Sequence, residues 1–131
     1  MADTPITLRL TIDDPLPGIH YSLQDPRNAP VGPVVATAAP LSFDVPVRLT
    51  DDGRFLGPFV RREGPTRRFV YIAIAGGCWN RRAKIDVHDI PPDLLAEART
   101  GRVLEIRLPG RGRDGSPTCA TVRSARGWQP V

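Results

Sequence analysis

Arg68-Phe69-Val70-Tyr71-Ile72-Ala73-Ile74-Ala75 is the stretch on which the fold turns. After its first residue it is apolar at every position, so both faces of a strand built from it need cover. That fits the central strand of a layered sheet, or one strand of a closed barrel. It is the best core candidate in the chain.

Upstream, Leu41 to Leu49 alternates, with Leu41, Phe43, Val45, Val47 and Leu49 on one face and Asp44, Pro46 and Arg48 on the other. Pro46 lacks a ladder donor, which marks an edge position or a bulge. Asp51, Asp52 and Gly53 supply a turn, and the Asp-Gly pair favours a hairpin into a strand over 54–62. At the start of the chain Ile6, Leu8, Leu10 and Ile12 alternate with Thr7, Arg9 and Thr11 as a half-buried first strand. Pro15, Pro17 and Gly18 end it, and a short strand follows over 20–24. From Asp25 to Pro40 four prolines and Gly32 preclude regular helix, leaving a long loop of the kind that often carries function.

Downstream, 83–87 alternates again, with Lys84, Asp86 and His88 on its polar side. A helix is expected over about 92–100: prolines suit its first turn, Leu94, Leu95 and Ala98 form an apolar stripe, and Gly101 suits the position just past its end. Strands follow over 103–108 and 118–123, separated by a Gly/Arg loop containing Arg111 and Arg113, with a loosely held tail from Ser124. The sum is a mainly β fold: a small barrel or sandwich of about seven strands with one short helix, a single domain over 1–131.

Composition agrees with a globular domain: 131 residues, 40% hydrophobic and 24% charged, which favours neither disorder nor a fibre. Without a basic-apolar leader or an apolar run of about 18 to 20 residues, the chain reads as cytoplasmic and off the membrane. Cys78 and Cys119 lie far apart with no zinc-ligand spacing, so neither a disulfide framework nor a structural metal is signalled, and no cofactor is expected. A net charge of +4 and a pI near 9.8 favour an anionic partner. Yet Lys84 is the only lysine, and the Arg, Ala, Gly and Pro content equally reflects a GC-rich coding sequence.

Several phrases together carry a family resemblance: the first strand with Asp13-Asp14-Pro15-Leu16-Pro17-Gly18, then G-P-F-V at 57–60, R-R-F-V-Y-I at 67–72, W-N-R-R-A-K-I at 79–85 and D-G-S-P-T-C-A-T-V at 114–122. The chain resembles a bacterial family of domains of unknown function, number 5990, over nearly its whole length. The resemblance implies no activity, cofactor or catalytic residue.

Three sets of residues stand out as candidates. The first is Arg61, Arg62, Arg67, Arg68, Phe69, Tyr71, Trp79, Arg81, Arg82 and Lys84. Guanidinium forks match carboxylates and phosphates, and aromatic faces stack planar groups, so the mixture suits an anionic small molecule. The expected ligand residues are Arg67, Arg68, Tyr71, Trp79, Arg81 and Arg82, in a non-enzymatic anion-binding barrel. On strands, however, adjacent arginines point to opposite faces, and Phe69 with Tyr71 can be core. Nucleic acid is disfavoured, because aromatics are only 6% of the chain and no RNA-binding signature occurs. The second set is Cys119 with His88 or His20, which would make a small cysteine-dependent enzyme if the fold joined them. The third is His88 with Asp86 or Asp89 as an acid/base pair. Strand edges also leave a structural role, or a homodimer, open.

Overall fold

The computed structural model describes residues 3–13, 15, 17–27, 29–76, 79–108, 121–124 and 127–130; at 76, 79–81, 83, 108 and beyond 120 it describes the backbone alone. In chain order the elements are β1 (Thr4–Ile12), β2 (His20–Gln24), β3 (Pro30–Val35), β4 (Leu41–Leu49), β5 (Phe55–Leu56), β6 (Arg61–Glu63), β7 (Arg67–Gly76), β8 (Trp79–Asp86), α1 (Pro92–Gly101), β9 (Val103–Leu108), β10 (Thr121–Ser124) and β11 (Gly127–Pro130). The architecture is mainly β: two curled sheets enclose one apolar core, as in a small barrel or sandwich.

The larger sheet runs β11-β10-β9-β1-β4-β5. Its centre is β1, antiparallel to β4 and parallel to β9, so that Leu8 sits between Val45 and Leu104 and Leu10 between Phe43 and Ile106. These residues are at most 7% exposed, and each buried side chain of this size contributes roughly 1.5 to 3 kcal/mol. A parallel pair needs a crossover, and here everything from β2 to α1 lies within it.

The smaller sheet is built on β7. β8 pairs along one edge from Phe69 to Gly76, while β2 (at 72–75) and β6 (at 67–69) divide the other. Val70, Ile72 and Ile74 are fully buried in the core between the sheets. Phe69 and Tyr71, on the opposite face, lie outside that core even though they are 1% and 8% exposed.

Four expectations change. The presumed loop after Asp25 contains β3, which pairs with β2 alone and is exposed throughout; Pro30 and Pro33 are tolerated because an edge strand needs only one partner. The expected strand over 54–62 is split, since β5 stays beside β4 whereas β6 joins β7 in the other sheet. Gly57 makes that crossing close to β4: a Cβ there would lie 2.9 Å from the Pro46 carbonyl oxygen. The left-handed residue that ends α1 is Arg102 (φ 63°), not Gly101. Finally, the tail pairs as β11 against β10, so the described residues hold eleven strands instead of about seven.

α1 itself forms as expected, with Leu94 and Ala98 buried and Leu95 packed against the core. Arg99, in its last turn, donates to the carbonyl oxygen of Thr50 at 2.6 Å, which ties the helix to the turn between β4 and β5. That turn, the start of β7 and the start of α1 frame the cavity described next.

Candidate functional site

Residue parity separates the arginines of β7. Arg67 shares a face with Phe69 and Tyr71, while Arg68 shares the inward face of Val70, Ile72 and Ile74. Arg68 therefore begins the core-facing row as a charged residue, only 4% exposed.

It lines a cavity of about 300 Å³ together with Asp52, Arg54, Thr66, Val87, His88, Asp89, Ile90, Pro92 and Leu95. Guanidinium atom Nη1 donates to the carbonyl oxygens of Arg67 (2.9 Å) and Pro65 (3.4 Å). Nε is sealed from solvent and makes no hydrogen bond, and no carboxylate forms an ion pair with Arg68 among the described residues. Loss of solvent lowers its pKa, and the nearby cations Arg62 and Arg54 lower it further. The group lies close to the protein surface, but its immediate neighbours screen it from water.

His88 fixes the root of this side chain. The Arg68 N–H donates to Nδ1 at 3.1 Å, and the Arg68 carbonyl oxygen lies 2.9 Å from the same nitrogen. The ring also meets Phe69 edge-on, with centroids 5.1 Å apart. Its other nitrogen, Nε2, is 4.0 Å from Asp89 Oδ2, on a carboxylate 94% exposed. Across the cavity Asp52 pairs with Arg54 at 3.5 Å. The Thr50 hydroxyl donates to Asp52 and, ahead of the Arg54 charge, holds its carboxyl below the usual range. Besides these polar groups, Val87, Ile90, Pro92 and Leu95 supply an apolar part of the lining.

The remaining cations build a different surface. Arg61 and Arg82 lie over the Tyr71 ring, 4.6 and 4.3 Å from its centroid, and Lys84 and Arg67 lie over Phe69 at 3.9 and 5.2 Å. Lys84 also bonds Glu63 at 3.0 Å, while Arg61 and Arg82 both reach Gln24 Oε1 at 3.4 Å. The rings are thus roofed by cations, with no aromatic face open for a ligand to stack on. Phe69 and Tyr71 are buried, as the core reading expects, but in a layer separate from the main cluster and covered by basic side chains.

The expected ligand set therefore divides. Arg68 enters the cavity, whereas Arg67, Tyr71 and Arg82 belong to the outer layer. The Trp79 and Arg81 side chains lie outside the described ones; the backbone of Arg81 pairs in register with Ile74. Cys119 and Arg111 to Arg113 also lie outside the described residues. His20 and His88 cannot act together: His20 pairs with Ala75 and His88 with Arg68, seven residues along β7, or roughly 23 Å. Asp86 is exposed opposite Phe69, away from the cavity. Arg54, Thr66 and Leu95 were not legible as site residues, because only the tertiary fold brings the β4–β5 turn and α1 to Arg68. The parity of Arg68 with Val70 was the one signal available in the sequence.

No helix among the described residues is long and apolar enough to cross a membrane. No curated protein and no solved structure matches the chain. A family match spans residues 6–131, which includes both sheets, the cavity and the outer cation layer. The chain belongs to the family of unknown function DUF5990.

Proposed function

We propose that this protein is a binding module for a small organic anion, taken up in the cavity at Arg68. One observation carries the reading: an arginine that is 4% exposed lines the cavity, and no carboxylate forms an ion pair with it among the described residues. A screened charge without a contacting counter-ion is unfavourable, and rules of this kind are broken chiefly at functional sites. An anion in the cavity would supply a contacting charge, with His88 and Thr66 among the polar residues of the lining. The volume sits at the small end of organic-ligand pockets, about 300 to 1,000 Å³.

The test is a thermal-shift screen of acetate, benzoate, inorganic phosphate and phenyl phosphate against the wild type and Arg68→Met. A saturable rise in Tm with at least one anion, absent in the variant, is expected. Equal shifts in both proteins, or none in either, would defeat the reading.

A further inference from the structure

Resting on that reading, we infer that the ligand is an organic monocarboxylate with a compact apolar body, and not a phosphate ester. The charge around the cavity specifies the first part. Arg54 already faces Asp52 at 3.5 Å, and Asp52 reaches Arg68 only as a more distant charge, so Arg68 is the cation with no acid in contact. Asp89, the other acid on the lining, is 94% exposed and forms no ion pair with Arg68 among the described residues, so Arg68 has a place for one further negative charge. A phosphate monoester carries about −1.5 to −2 at neutral pH, so its second charge would face the carboxylates of Asp52 and Asp89.

The state of the guanidinium agrees. Nη1 is anchored on two main-chain carbonyls and Nε is sealed from solvent, so Nη2 is the guanidinium nitrogen left for a ligand. Nη2 carries two N–H groups, enough to hold the single charge of a carboxylate. A tetrahedral phosphate can use the same two donors, but its remaining oxygens then need further donors. The rest of the lining includes Val87, Ile90 and Leu95, which are apolar. Those residues instead give an apolar body a surface to bury, and an acetate-sized anion would leave them uncovered.

Calorimetric titration of the full chain with benzoate, acetate and phenyl phosphate, at neutral pH and fixed ionic strength, tests this directly. Benzoate should bind at least tenfold more tightly than either of the others. Arg68→Met should weaken benzoate at least tenfold, while Leu95→Gln should weaken benzoate severalfold and leave acetate unchanged. Phenyl phosphate binding as tightly as benzoate would overturn the monocarboxylate assignment and leave anion binding standing. Acetate equal to benzoate would overturn the apolar body. Absence of binding by all three and by inorganic phosphate would overturn the assignment together with the reading beneath it. Circular dichroism of both variants establishes that they are folded, and Leu95→Gln keeps the comparison decisive if Arg68→Met is not.

Discussion

His88 clasps the main chain of Arg68: the Arg68 N–H donates to Nδ1 at 3.1 Å, and the Arg68 carbonyl oxygen lies 2.9 Å from that same nitrogen. The contact joins the residue just beyond β8 to the start of β7, where the sheet ladder gives way to the cavity. Replacing His88 with Ala removes this bond and the edge-on contact with Phe69. Urea denaturation should show a loss of about 1 to 2 kcal/mol. A change within about 0.3 kcal/mol would mean that the clasp contributes nothing to stability.

Arg68→Met should behave in the opposite sense. The substitution removes a buried cation that has no acid partner, keeps an unbranched side chain in the core-facing row, and gives up two hydrogen bonds to carbonyls. Replacement of an uncompensated buried charge by a hydrophobe of similar length is commonly neutral or stabilising. Unliganded Arg68→Met should therefore be as stable as the wild type or more stable by about 1 kcal/mol. A loss above about 2 kcal/mol would identify Arg68 as a structural residue in its own right.

The outer layer predicts a measurable pairwise term. Arg82, an exposed residue, stands 4.3 Å over the buried Tyr71 ring. A double-mutant cycle with Arg82→Ala and Tyr71→Leu should give a coupling of about 0.5 to 1 kcal/mol. Benzoate binding should be the same in Arg82→Ala as in the wild type, because Arg82 lies on the face opposite the cavity-lining row of β7.

Acid should weaken the fold through three surface carboxylates. Asp44 is held below its usual 3.8 chiefly by the hydrogen bond from Arg9, Asp52 below 3.8 by the Thr50 hydroxyl, and Glu63 below 4.5 by Lys84. Each binds its proton less readily folded than unfolded. The stabilisation is therefore complete above those ordinary values and is lost as pH falls through the lower folded ones. Thermal melts from neutral pH to about pH 2 should show Tm falling below about pH 4.5. The triple variant Asp44→Asn, Asp52→Asn, Glu63→Gln should start lower and fall less. Parallel curves would show that these pairs do not couple to stability.

How far the sequence discloses this arrangement depends on the physics of each element. β1 and β4 are visible because Leu8, Leu10, Val45 and Val47 repeat with period two against polar neighbours, a pattern set by one buried face. β3 is hidden because all of it is exposed and two prolines interrupt it, so neither burial nor propensity marks it. β5 and β6 span two and three residues, too short for any period to register. α1 is legible from its prolines and apolar stripe, but the end is set by Arg102 in a left-handed conformation that propensity assigns to glycine.

The site was legible in kind but not in place. A run of Arg and aromatic residues pointed to the right strand, and alternation then divides it between two faces. Arg67, Arg82 and Tyr71 go to a self-contained outer layer, while Arg68 goes to the cavity. What joins Arg68 to Arg54 and Leu95 is the crossover packing of the β4–β5 turn on α1, a long-range relation that no local pattern encodes.

The most direct measurement of the central claim is a ¹H–¹⁵N correlation titration of the labelled full chain with benzoate. Saturable shifts should concentrate at the amides of Gly53, Arg68, His88 and Leu95, with Tyr71, Arg82 and Lys84 unmoved. Shifts concentrated on Tyr71, Arg82 and Lys84, with the Arg68 cavity silent, would contradict it and move the anion site to the outer face of the sheet.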